Sequence, residues 1–119
     1  VTPERVQAWL DAYVEAWRTY DQDQIGALFA DDASYAFHPW GEPIRGVEAI
    51  VSGWLQEPDP PDSWEASYRP LLMEGNRAVA TGQTRYADGQ VFWNIWVLGF
   101  DPAGRCTEFV EWYMTEPID

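Results

Sequence analysis

The sequence predicts an α+β fold in which a strongly curved antiparallel sheet forms a cone over a long N-terminal helix. Three observations carry that expectation. Helix-period patterning gathers in the first half of the chain, and everything from Trp64 onward alternates like strands. Residues 90–114 form two apolar-rich runs joined by Asp101-Pro102-Ala103-Gly104, a turn with a fixed φ at proline and a glycine free to take positive φ. Both runs are about a dozen residues, against the usual five or six, as a bent sheet with an interior requires.

Thr2-Pro3-Glu4 opens the first helix with a capping hydroxyl, proline at the first helical position and an acid in the first turn. Val6, Trp9, Leu10, Tyr13, Val14 and Trp17 then fall on one apolar stripe. Asp21 to Gln24 resembles a capping box, and Ile25, Leu28 and Phe29 form the buried side of a short second helix ending near Asp31-Asp32. Residues 34–38 alternate as a strand closed by Pro39, and Pro39 to Pro43 is a loop. Gly46 opens a third helix carrying Val47, Ile50, Val51, Trp54 and Leu55, stopped by Pro58 and Pro60-Pro61. Four strands follow over 64–73, 76–87, 91–101 and 105–115. The small residues Ala78, Ala80 and Gly82 share a face of the third of the five strands, where they bend it and leave room opposite bulky Trp side chains. Only 57–63 reads as a linker, too short to divide domains, so residues 1–119 are expected to form one domain.

Composition excludes several chemistries. The seven basic residues are all Arg, so lysine Schiff bases and lysine-anchored pyridoxal phosphate are out. One His and one Cys cannot build a His/Cys zinc site. Walker and dinucleotide glycine loops are absent, and the expectation is that no cofactor is used. A formal charge of −13 makes nucleic acid and anionic membranes poor partners and repels anionic substrates unless a local Arg receives them. No apolar run reaches membrane-spanning length, and the lone Cys106 fits a reducing cytoplasm. Eight Trp among nineteen aromatic residues suit pocket walls and interfaces.

Period two sorts the hairpin. Phe92, Asn94, Trp96 and Leu98 share one face with Thr107, Phe109, Glu111 and Tyr113 opposite; Trp93, Ile95, Val97, Val110 and Trp112 share the outer face. That outer face is apolar enough to predict a homodimer through it. The polar residues embedded in the hairpin, Asn94 and Glu111, are the chemical candidates.

Several segments together resemble the nuclear transport factor 2-like superfamily, in its ketosteroid isomerase and SnoaL-like polyketide cyclase branch. They are Ala12-Tyr13-Val14 with Asp21, the run Ala27 to Ala33, Glu42-Pro43, Gly46, Ala49-Ile50, and Phe100 with Ala103-Gly104-Arg105. The resemblance implies a small-molecule cavity lined by Trp17, Tyr35, Phe37, Trp54, Asn94, Trp96, Phe109, Glu111 and Tyr113. The isomerase's oxyanion-hole tyrosine falls on Tyr13. Its general-base aspartate falls on Phe37, its protonated aspartic acid on Trp96 and its buttressing tyrosine on Trp54, so steroid isomerisation does not carry over. Glu111 falls where the related limonene epoxide hydrolases keep an aspartate on the last strand, but their partner arginine and aspartate correspond to Asn94 and Trp96.

Two readings of Glu111 stay open. Desolvated among aromatic rings, it is an acid/base for a small, largely apolar, uncharged ketone, enone or epoxide, with Tyr13 and Asn94 polarising oxygen. Alternatively it is structural, in a binding or dimeric interaction module. Asn94 either meets a ligand or partners Glu111, and Tyr13 is either a donor or a core residue tied locally. Strand parity turns His38 away from the cavity unless the chain bulges before Pro39. The acids near Pro58 read as solvated.

Overall fold

The computed structural model describes residues 1–117. Three helices, α1 (Pro3–Thr19), α2 (Gln22–Ala27) and α3 (Val47–Gln56), pack with six strands: β1 (Phe29–Ala36), β2 (Ile44–Arg45), β3 (Trp64–Glu74), β4 (Arg77–Tyr86), β5 (Val91–Phe100) and β6 (Cys106–Thr115). The strands form one sheet in the order β2-β1-β6-β5-β4-β3.

Helix α1 begins as its sequence demands, with the Thr2 hydroxyl accepting from the Arg5 N–H at 3.2 Å and Pro3 in the first turn. It ends where Tyr20 turns left-handed (φ 50°) and donates its N–H to the Ala16 carbonyl at 2.8 Å. Val6, Trp9, Leu10, Tyr13 and Ala16 are buried on the stripe facing the sheet. Half of the anticipated capping box forms at α2: Asp21 accepts from the Gln24 N–H, while the Gln24 side chain takes the Thr19 hydroxyl instead of reaching back.

The fold departs from the sequence reading at three places. Helix α2 stops at Ala27, and Leu28 and Phe29 leave it. The Leu28 carbonyl accepts from the Cys106 N–H and Phe29 pairs with Cys106, so the sheet claims a segment whose spacing alone reads as helix. Ile44-Arg45, between the 39–43 loop and the third helix, pairs with Ser34 and Tyr35 as a short edge strand that the sequence reading does not include. The sheet is mixed, because β1 runs parallel to β6 while every other neighbouring pair is antiparallel. The route from β1 through α3 and three further strands brings β6 back beside it in the same direction.

Gly82 lets β4 lie close against β3. A Cβ there would collide with the Ser67 carbonyl oxygen and the Tyr68 side chain on β3. Its neighbours Ala78 and Ala80 are buried under the core. That core is headed by Phe29, Phe109, Leu10, Ile25, Ile50 and Leu98, each fully enclosed. Cys106 lies among them with its thiol directed at the Glu108 carbonyl (3.2 Å), and burial pushes that thiol up to about 12. The outer face shows the predicted parity: Ile95 sits opposite Trp112 and Val97 opposite Val110, with Trp93 and Trp112 about half exposed. No helix among the described residues is long and apolar enough to cross a membrane.

Candidate functional site: an aromatic hollow with one clasped carboxylate

The concave side of the sheet, the C-terminal half of α1 and the face of α3 enclose a cavity of about 280 Å³. An engineered apolar cavity of about 150 Å³ accepts benzene, so by proportion this one holds roughly ten non-hydrogen atoms. The cavity is therefore not filled by its own Trp side chains.

Period two on β5 and β6 delivers the polar centre. Asn94 and Glu111 lie on the inner face with Trp96, which pairs directly with Glu111 across the ladder. One carboxylate oxygen, Oε2 of Glu111, accepts from the Asn94 amide (2.6 Å) and from the Trp96 indole N–H (2.8 Å). The other, Oε1, has no protein donor among the described residues. Among the described residues no guanidinium lines the cavity, and the ion pairs Arg77 with Glu108 and Arg105 with Asp101 lie outside it. Burial pushes the Glu111 carboxyl above its ordinary value; the Trp96 and Asn94 donors, then the charge of His38, pull against it.

Counting protons fixes the direction of the network behind Glu111. Asn94 must turn its NH₂ to the carboxylate, which leaves its Oδ1 as an acceptor only. Thr84 donates its single hydroxyl proton to that oxygen at 3.0 Å. Tyr68, 2.5 Å from the Thr84 hydroxyl, must therefore donate to Thr84. A chain Tyr68→Thr84→Asn94→Glu111 results, with every arrow pointing at the carboxylate. Because Oε2 is already occupied twice, a proton added to Glu111 goes to Oε1.

The other wall carries Tyr13 and Tyr35, whose hydroxyl oxygens lie 2.6 Å apart. One donates to the other, leaving one hydroxyl proton without a protein acceptor among the described residues. Burial pushes both phenols well above their ordinary value, so they stay protonated donors.

Of the expected lining residues, Tyr13, Trp17, Tyr35, Phe37, Trp54, Asn94, Trp96, Glu111 and Tyr113 face the cavity, Phe37 and Tyr113 at its half-exposed rim. Phe109 does not. It is buried one layer down, its ring parallel to Tyr13 at 5.7 Å and to Tyr35 at 4.3 Å, a platform for both phenols. Asn94 is spent on Glu111 rather than offered to a ligand oxygen. Trp54 brings a buried indole N–H with no hydrogen-bond partner among the described residues, edge-on to Tyr13. His38 stacks on the exposed Trp40 (4.7 Å) and does not line the cavity, although its charge acts on the Glu111 carboxyl, pulling it down.

Sequence reasoning missed three contributors. Tyr68 and Thr84 orient Asn94 from two other strands, a relation that no short spacing reveals. Asp59, expected in water, accepts the Trp17 indole N–H at 3.0 Å and donates its own N–H to the Tyr20 hydroxyl at 2.8 Å. It thereby ties the proline-rich 57–63 segment to the end of α1 beside the cavity mouth. The repeated prolines stiffen that segment, but only the fold shows where Asp59 lands. Among the described residues no group of three His, Cys, Asp or Glu is placed to hold a metal.

Solved structures of similar shape agree on the fold. A protein from Kribbella flavida assigned as a candidate ketosteroid isomerase superposes with a TM-score of 0.73 at 18% identity, over 98% of this chain and 82% of that one. A protein of unknown function from Burkholderia xenovorans, described as NTF-2 like, also gives 0.73, at 22% identity over 98% and 87%. An epoxide hydrolase of M. tuberculosis, described as LEH-like, gives 0.64 at 18% identity over 94% and 84%. At these identities the likeness extends to fold alone. The family model for the SnoaL-like domain matches residues 10–109, which include Tyr13, the β4 residue Thr84, Asn94 and Trp96 but stop two residues short of Glu111. With most of its length matched, this chain belongs to the SnoaL-like domain family.

Proposed function

We propose that this chain binds a small, mainly apolar molecule in the aromatic hollow and that Glu111 exchanges a proton with it through Oε1. The observation carrying this is the split environment of one carboxylate: Oε2 is clasped by two donors while Oε1 has none among the described residues. Such a group is held rigidly, is partly desolvated, and has one oxygen free to act as base and then acid. The spare hydroxyl proton of the Tyr13–Tyr35 pair is a donor for a ligand oxygen on the opposite wall. An anionic ligand would find no Lys, Arg or His among the described lining residues.

Native mass spectrometry of freshly purified protein would identify a molecule carried in the cavity, which then serves as the candidate substrate. Glu111→Gln should retain folding while lowering turnover at saturating ligand at least about a hundredfold, the usual contribution of a positioned general base. Unchanged turnover would refute the acid/base role.

Binding without chemistry is the second reading, favoured by Asn94 being held on the carboxylate and so withdrawn as an oxyanion donor. It predicts that no conversion of the carried molecule is detected.

The outer sheet face supports a homodimer, since Trp93, Ile95, Val97, Val110 and Trp112 form an apolar surface that the chain's own helices leave uncovered. Trp112→Asp should convert a dimer into a monomer in analytical ultracentrifugation; a monomeric wild type would refute the dimer.

A further inference from the structure

The cavity's lining is lopsided in charge. Of the seventeen described residues that line it, eleven are aromatic, three are the acids Glu57, Asp59 and Glu111, and none is Lys, Arg or His. We propose that the ligand is an organic ammonium: its apolar body fills the hollow, and its charged nitrogen pairs with Oε1 of Glu111. This rests on the reading of the cavity as a ligand site, not on turnover, and it replaces the uncharged occupant expected from sequence.

Filling the cavity changes what is left to satisfy Glu111. The carboxylate has two protein donors on Oε2 and none on Oε1 among the described residues, so Oε1 depends on solvent or ligand. A neutral apolar ligand would expel that solvent and leave a buried charge half satisfied, which is costly. An anion would add repulsion. A protonated amine replaces the lost solvation with a charge-assisted hydrogen bond. Aromatic rings are the walls that tolerate such an ion, because their π-density attracts cations while still excluding water. The formal charge of −13 acts in the same direction at longer range, concentrating cations around the molecule. His38, whose charge acts on Glu111, is stacked on Trp40 outside the lining and leaves the position at Oε1 open.

Three probes share a benzyl group and have about ten non-hydrogen atoms, the size the cavity admits: protonated N,N-dimethylbenzylamine, neutral phenylacetone and anionic phenylacetate. Isothermal titration calorimetry on the whole protein at neutral pH should rank them ammonium, ketone, carboxylate. The expected margin of the ammonium over the ketone is about tenfold or more. Glu111→Gln should erase that margin while leaving ketone affinity within about threefold. Ketone binding as tight as or tighter than the ammonium would overturn the inference and leave the ligand-site reading intact. Binding of none of the three would overturn both. An ammonium preference that survives Glu111→Gln would overturn the assignment of its charge partner. The wild-type ranking needs no variant, so a poorly folding Gln protein would not shield the proposal.

Discussion

The same three elements build both a packed region and a hollow one. At one end of the sheet's concave side, Val6, Trp9 and Leu10 of α1 meet Leu98 and Phe100 of β5 and Phe109 of β6 with almost no exposure. Farther along the same elements, Tyr13 and Trp17, then Asn94 and Trp96, then Glu111 and Tyr113, surround open space. The packed region is specified by volume, and its polar atoms are few: the Trp9 indole, for instance, donates to the Leu28 carbonyl at 2.9 Å. The hollow region is specified by proton accounting, because each buried polar group there must find a partner or remain available. Substitutions should therefore fail differently in the two regions, by cavity creation in one and by orphaned hydrogen-bonding groups in the other.

The largest expected effect belongs to the layer between them. Phe109→Ala removes the platform under Tyr13 and Tyr35 and should cost about 3–5 kcal/mol in denaturant unfolding. A loss below about 1 kcal/mol would mean that the phenols hold themselves in place. Next comes Thr84→Val, which keeps the volume but orphans Oδ1 of Asn94, at about 1–3 kcal/mol. Freed from Thr84, the Asn94 amide is a poorer donor to the carboxylate, so the Glu111 carboxyl should titrate higher still by carbon-detected NMR. Thr84→Ser should restore both values; a wild-type titration in Thr84→Val would show that the relay does not position Asn94.

Glu111→Gln gives a smaller effect whose sign depends on pH. Burial raises the Glu111 carboxyl in the folded chain, so the fold retains a proton that the unfolded chain has already lost. The wild type should therefore lose stability relative to the Gln variant as pH rises from the ordinary carboxyl value through the raised folded one, and the difference should level off above it. A difference that moved the other way would mean that the clasp outweighs burial. Least affected should be Arg77→Ala, which breaks the 2.7 Å pair with Glu108 on the exposed side and should cost less than about 1 kcal/mol by thermal unfolding.

How much was legible follows the reach of each interaction. The inner and outer faces of β5 and β6 could be read because alternation is local, and that reading brought Asn94, Trp96 and Glu111 together before any coordinates. The capped start of α1 and the glycine at the start of α3 were local too. What escaped depended on distant partners. Leu28 and Phe29 have helical spacing, yet they pair with Cys106, and no feature within a few residues signals it. The parallel join of β1 to β6 is a property of the chain's route. Phe109 has the parity of a cavity residue but lies deeper, because Tyr13 and Tyr35 come between it and the hollow. Thr84 and Tyr68 look like ordinary strand residues until register aligns them behind Asn94.

The solitary thiol of Cys106 has a practical consequence. It is enclosed where β1, β5 and β6 converge, and its proton is held far more firmly than in a free cysteine. A sulfhydryl reagent can reach it only when those strands part. Its labelling rate is thus a native clock for excursions of the tightly filled end, running without an engineered tag while ligands come and go at the other.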